Sequence, residues 1–261
     1  MTNSIIAISV FHFHSPIKKS MLKNNLSLTS ICAAALMTLN VPAFADNNFD
    51  HLQSLSQTEF NLLAKDFTSA ASYKAVAPGA PLGITGFDIG AEVTVTQLAD
   101  ANVWRKAGAD MSSLILPKIH LHKGLPFNID LGASLAATAN SDIKLMGVEA
   151  RYAILAGGIA EPSLSVRAAA TRLSGVSQLE LNTQSVELTA SKGFLMLTPY
   201  IGVGRVWGKV TPQFANLQKS SPAMNKVFAG LNTNFGLFNF AGEFDRTGDN
   251  DSVSVKLGFR W

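Results

Sequence analysis

Cysteine is almost missing from this chain: the one thiol, Cys32, sits in an apolar stretch near the start, and none follows it. The rest of the chain therefore has no disulfide, no thiolate metal ligand, no cysteine nucleophile and no cysteine for lipid attachment. Charge is also sparse, at 15% of 261 residues against 47% hydrophobic, a balance that demands a packed structure rather than a disordered one. No apolar run is as long as the roughly 18 to 20 residues of a membrane-spanning helix. The longest, Leu26 to Leu39, is broken by Ser27, Thr29 and Ser30. The net charge of +3 comes from Lys18, Lys19 and Lys23, because residues 1–45 hold no acid and the remainder balances 18 basic against 18 acidic side chains. A balanced chain of this kind is not expected to bind nucleic acid.

What the first 45 residues contain is a secretory signal. Lys18, Lys19 and Lys23 form a positive region, Leu26 to Leu39 an apolar one, and Ala43-Phe44-Ala45 a small-x-small cleavage site before Asp46. A signal of ordinary length starts at Met21, so residues 1–20 read as a non-native upstream extension and 21–45 as the signal peptide.

Residues 46–82 read as an N-terminal amphipathic helix and its linker. Phe60, Leu63, Ala64, Phe67, Ala70 and Ala71 recur at three- and four-residue steps, which predicts a helix over 56–72 with one apolar stripe. Ser56 and Glu59 have the spacing of a capping box, and Leu55 with Phe60 that of a hydrophobic staple. The stretch Ala77-Pro78-Gly79-Ala80-Pro81 then ends the helical period.

From residue 83 to 261 the period is two. Alternation predicts about ten strands, in a range of eight to twelve: 83–97, 111–123, 126–138, 142–155, 161–174, 177–191, 195–210, 225–235, 237–247 and 251–261. Most exceed the usual five or six residues and match the nine to eleven that cross a bilayer at a tilt. One face is continuously apolar and the other small or polar, as where Phe87, Ile89, Ala91, Val93 and Val95 oppose Asp88, Gly90, Glu92, Thr94 and Thr96. Odd-to-even joins such as Leu98 to Asp110 and Thr211 to Met224 are long, while Lys123-Gly124-Leu125 and Gly236-Leu237 are tight. Even strand number, long loops at one end and short turns at the other predict an all-β, antiparallel transmembrane barrel preceded by one helix. A secreted β-sandwich is the alternative, with shorter strands and a bulkier core.

The last residues sharpen that reading. Val253, Val255, Leu257, Phe259 and Trp261 alternate with Ser254, Lys256, Gly258 and Arg260 up to the final aromatic. This ending resembles the C-terminal assembly signal of Gram-negative bacterial outer-membrane β-barrel proteins, although Phe is commoner than Trp in last place. The resemblance implies export, insertion into the outer membrane by the barrel assembly machinery, both chain ends in the periplasm, and outer-membrane lipid and lipopolysaccharide as surroundings. Trp104, Tyr152, Tyr200, Trp207 and Trp261, near predicted strand ends, are expected in the interfacial aromatic girdles.

Charged and histidine side chains projected inward are Glu92, Lys118, His120, His122, Asp130, Glu149, Arg151, Arg167, Glu187, Glu243, Lys256 and Arg260. Their mixed signs fit a self-paired lumen, since a buried charge needs a partner, and fit a selectivity filter less well. If the turn at 123–127 pairs its strands symmetrically, His120 lies opposite Asp130, and with His122 the three could form a catalytic or metal-binding group. No partnered nucleophile accompanies them, and the reading is of no enzyme, no metal and no cofactor. Gly202, Gly204, Gly208 and Lys209 imitate a phosphate loop, but Val210 stands where Ser or Thr is needed, and the glycines fit a curved wall better. The Trp104-Arg105-Lys106 cluster could touch lipopolysaccharide phosphates or simply anchor at the interface.

A barrel of about ten strands is too narrow for general diffusion. The helix, through Phe60, Leu63 and Phe67, is expected to plug the periplasmic mouth, leaving a narrow or gated passage for a small or hydrophobic solute. A structural or interaction barrel of the envelope is the alternative.

Overall fold

The computed structural model describes residues 49, 51–137, 144–158 and 160–261. The signal peptide, Cys32 and the upstream extension lie outside the described residues.

Ten antiparallel strands form a closed barrel in which each pairs with its neighbours in sequence and the last closes on the first. They are β1 (Phe87–Gln97), β2 (Ser113–Leu125), β3 (Ile129–Ala137), β4 (Lys144–Leu155), β5 (Ser163–Ser174), β6 (Leu179–Ser191), β7 (Leu197–Pro212), β8 (Ala223–Phe235), β9 (Phe238–Thr247) and β10 (Asn250–Arg260). The β1–β10 seam runs from Asp88 opposite Arg260 to Thr96 opposite Ser252, so the barrel has no free edge. Each strand obeys the alternation its sequence shows. Ile119, Leu121, Leu135, Val148, Val203, Phe240 and Val255 face outward and are exposed, whereas Glu92, Lys118, Arg167, Glu187 and Lys256 face inward and are buried. An inside-out polarity of this kind is stable only with lipid around it, and the protein is an all-β transmembrane barrel.

Before the barrel comes α1 (Gln57–Ala71), started by the capping box that Ser56 and Glu59 spell out. Ser56 accepts from the Glu59 backbone N–H, and the Glu59 carboxylate accepts in return from the Ser56 N–H at 2.8 Å. A second short helix, α2 (Ala101–Lys106), lies in the β1–β2 loop.

The position of α1 corrects the expected periplasmic plug. Its apolar stripe packs into a core made by Leu98 at the end of β1, Leu114 and Leu116 at the start of β2, Leu179 and Leu181 at the start of β6, and Val210 late in β7. Those positions all belong to the mouth that carries the long odd-to-even loops. The other mouth holds the short turns, the first residue of β1 and the C-terminus. The stripe needs an apolar lining, and among the described residues the loop mouth supplies it. It follows that Phe49, the first described residue, and Trp261 are at opposite mouths; the expectation that both chain ends are in the periplasm concerns an N-terminal end that lies outside the described residues.

Candidate functional site: an occupied lumen

Since α1 sits at one mouth and β1 starts at the other, the chain between them must run the length of the barrel interior. Residues 72 to 79 are buried throughout. The wall grips this linker step by step. Thr171 donates to the last helical carbonyl, Ala71 O, at 2.8 Å, and Lys226 donates to Tyr73 O at 3.1 Å. Lys74 donates to Ser69 O at 3.0 Å and stands 3.7 Å from the Asp245 carboxylate. Further down, Arg151 donates to Pro78 O at 2.6 Å, the Gly79 N–H donates to Ser191 Oγ at 3.1 Å, and the Leu82 N–H donates to Asp130 at 3.1 Å. Gly79 passes close to the wall, where a Cβ would lie 2.9 Å from both Ser165 Oγ and Thr189 O, so a larger residue there requires a small shift of the linker unless it bonds to position 165.

The helix is tied to its mouth by aromatic packing and by one carboxylate. Phe49, Phe67 and Trp104 form a three-ring cluster, with Phe67 and Trp104 centroids 4.4 Å apart. Asp66 of α1 accepts from Trp104 Nε1 at 2.8 Å, Asn250 Nδ2 at 2.7 Å and the backbone N–H groups of Ala99 and Asp100 at 3.3 and 3.2 Å. Burial pushes the Asp66 carboxyl above the usual carboxylate range, against the pull of those donors. At the helix start, the Lys106 ammonium holds the Glu59 carboxyl down to about 2, helped by the Ser56 N–H. Glu59 and Lys106 meet at 2.7 Å and link α1 to α2.

Trp104 is therefore no interfacial anchor. It is fully buried, as is Tyr200, which donates from inside the wall to Glu243 at 3.0 Å. Of the aromatics expected in the girdles, Tyr152, Trp207 and Trp261 face outward and are exposed. Arg105 and Lys106 pair with Asp110 and Glu59, which leaves the cluster committed within the protein.

Below the helix the wall is lined with ion pairs. Glu92 binds Lys118 at 2.6 Å and faces His120 at 2.5 Å. His122 lies 3.4 Å from Glu149, Glu149 lies 3.5 Å from Arg167, Arg167 pairs with Glu187, and Glu187 reaches Lys226 at 3.1 Å. Asp130 holds Arg151 at 2.5 Å, and Asp88 holds Lys256 at 2.9 Å with Arg260 at 3.9 Å. All twelve side chains projected inward from the sequence lie on the inner face, with Arg260 the least enclosed.

Their grouping differs from the expected one. His120 pairs in register with Ser134, and Asp130 with Gly124, so the His120–Asp130 dyad does not form. The cause is the turn: β2 runs on through Gly124 and Leu125, and Pro126, Phe127 and Asn128 reverse the chain with Phe127 and Asn128 both in the left-handed region. His120 goes to Glu92, Asp130 to Arg151, and among the described residues no group of three acids or histidines is placed to hold a metal.

Sequence reasoning left Asp66, Tyr73, Lys74, Lys226 and Asp245 out of the inward set, and Asp88 too although it was placed on the polar face of the first strand. Asp88 and Asp245 were detectable, since each is an even number of residues from an assigned inward acid, Glu92 or Glu243. Tyr73 and Lys74 lie in a segment with no period and gave no signal. The phosphate-loop mimic is a plain stretch of β7 whose glycines face the lumen. A Cβ on Gly204 would meet Glu187, and one on Gly208 would come 2.1 Å from Thr68 of α1. They make room for what fills the barrel as well as letting the wall curve.

No protein-family model matches the chain, and no curated protein matches it in sequence. Solved structures with some likeness include the N-terminal β-barrel domain of Pseudomonas aeruginosa OprF, at 14% identity and TM-score 0.34 over 69% of this chain and 99% of that one. The KdgM porin in complex with disordered oligogalacturonate follows at 10% and 0.35 over 67% and 99%. The attachment invasion locus protein Ail of Yersinia pestis gives 12% and 0.30 over 68% and 99%. Similarity so slight carries no argument about function.

Proposed function

We propose that the protein is an outer-membrane passage for small polar solutes, held shut by its own N-terminal segment. The observation that supports this most directly is the linker of residues 72 to 79, buried along a lumen whose wall is polar and neutralises itself. Most wall charges pair with other wall charges. Withdrawal of the linker would leave few orphaned ions and expose a surface that water wets. Ten strands stand just above the eight whose interior side chains fill, so the passage opened would be narrow. Acids and bases alternate around it, which favours uncharged or zwitterionic solutes over ions of one sign. With the long loops outward, the helix closes the external mouth.

A structural barrel of the envelope is the second reading, favoured by the apolar core at the loop mouth, which resists opening. No catalysis is proposed, because Asp130 pairs with Arg151 rather than with the stacked His120 and His122 rings, and Tyr73 of the linker lies against both rings. Planar-bilayer recordings separate the two readings. The complete exported chain should be silent or nearly so, and a version lacking residues 46–76 should show discrete conductance. Silence of both, from barrels that keep the heat-sensitive electrophoretic mobility of a folded barrel, would favour the structural reading.

A further inference from the structure

The outer face of the barrel is not uniform around its circumference. On β9 and β10, the one outward basic residue near the loop end, Arg246, is neutralised by Asp251 at 2.7 Å. On β5 to β7 one outward register row at that end is polar across three strands, Arg172, Asn182 and Lys209, with Glu180 one step nearer the loops and Gln184 one step below beside Ala170 and Trp207. Arg172 pairs in register with Asn182, and Asn182 with Lys209, so two cations flank an amide two strand spacings apart, about 10 Å. Arg205 lies on the same outward face of β7, four residues nearer the turn end than Lys209, and donates to Asn225 Oδ1 at 2.7 Å. Neither Arg172 nor Lys209 has an acidic partner among the described residues.

Directly beneath this row the lipid-facing wall is dented. Ala150 pairs with Ala168 and Val148 with Ala170, and these side chains floor a trough bordered by Leu131 and Trp207. Two adjoining grooves of about 970 and 610 Å³ cover it, and the larger reaches Arg172 and Lys209. An apolar, alanine-floored trough, ending at the loop side in two cations without an ion-pair partner and two amides, has the chemistry of a site for one lipid with more than one phosphate.

We infer that the outer face of β4 to β7 binds a phosphorylated, acylated glycolipid of the outer leaflet, with its phosphates on Arg172 and Lys209 and a chain along the alanine trough. Two cations about 10 Å apart suit two phosphates on a sugar headgroup better than the single phosphate of a glycerophospholipid. The site replaces the Trp104-Arg105-Lys106 cluster, in which Arg105 and Lys106 each already face an acid. It does not depend on whether the lumen opens.

The test uses the complete exported chain in delipidated detergent micelles, titrated with a fluorescent diphosphorylated lipid A and followed by anisotropy. Wild type should bind saturably. The double variant Arg172→Ser/Lys209→Ser should bind at least fivefold more weakly, Ala168→Phe should weaken binding by filling the trough, and Arg246→Ser should bind as wild type. Unlabelled phosphatidylglycerol should compete at least fivefold less well than unlabelled lipid A. All four substitutions are outward-facing, and heat-modified mobility checks that each barrel is folded. A smaller loss in the double variant, an equal loss in Arg246→Ser, or equal competition by phosphatidylglycerol would overturn the assignment.

Discussion

Asp66→Ala should loosen the helix from its mouth without unfolding the barrel. The carboxylate gathers four donors, of which Trp104 Nε1 and Asn250 Nδ2 are buried and the Ala99 and Asp100 N–H groups are less enclosed. Deleting it leaves two buried donors unpaired, at about 1–3 kcal/mol each, while the peripheral N–H groups can turn to water. Against this stands the relief of a carboxylate that burial already disfavours, as its raised pKa shows. The net is set near the low end, about 2–3 kcal/mol, which corresponds to amide exchange in α1 faster by about 30- to 150-fold. The readout is hydrogen exchange resolved by mass spectrometry on peptides covering 57–71, with β-strand peptides as the reference that must not change. The pH dependence has a definite sign. A carboxyl whose folded pKa is raised contributes stability that is complete below its unfolded pKa and lost as pH rises through the folded value. Protection of α1, corrected for intrinsic exchange, should therefore decline as pH rises through the raised Asp66 value, and Asp66→Asn should abolish that decline. Exchange of Asp66→Ala within twofold of wild type would refute the idea that this carboxylate latches the helix.

Three further outcomes follow from the same contacts. Glu59 titrates in the opposite sense: its pKa is lowered to about 2, so its contribution to seating α1 is present above the ordinary carboxylate range and fades as pH falls toward 2, an acid-induced loosening that Glu59→Gln should remove in the same exchange assay. Glu187→Ala leaves Lys226 without its carboxylate, with only Tyr73 O to donate to, and leaves Arg167 only its longer ion-pair contact with Glu149, which should destabilise the barrel by about 3–5 kcal/mol in urea-dependent refolding into detergent or lipid. Gly208→Val places side-chain atoms where Thr68 already stands, so it should expel α1 and raise protease sensitivity at 57–71 while Gly242→Ala, where the nearest atom is 4.0 Å away, should not.

How far the sequence could be read depends on which solvent each segment faces. Strands were legible because lipid on one side and a polar lumen on the other force a strict period of two, as in Val253 to Trp261, and the observed bounds fall within four residues of the expected ones. The helix start was legible because Ser56 and Glu59 satisfy each other locally. The path of residues 72–86 was not, since an extended chain inside a barrel meets wall on all sides and shows no alternation. The register at β2–β3 differs from the expected one by four residues because Gly124, a residue type that favours turns, extends the strand instead. Lys226 was hidden by its neighbours: the inner face of β8 also carries Met224, Phe228 and Gly230, and so does not read as polar.

The central claim is that the linker is what closes the lumen, and a reversible lock tests it. Ser165 Oγ lies 2.9 Å from the place of a Cβ on residue 79, close to the separation of about 3 Å between a Cβ and the far sulfur of a disulfide. The chain beyond the leader has no cysteine of its own to interfere. In the complete exported chain carrying Asp66→Ala with Gly79→Cys and Ser165→Cys, single-channel recording under reducing conditions should show discrete openings. Oxidation should abolish them, and reductant should restore them. Openings that ignore the redox state, or silence in both states from a folded barrel, would contradict the account.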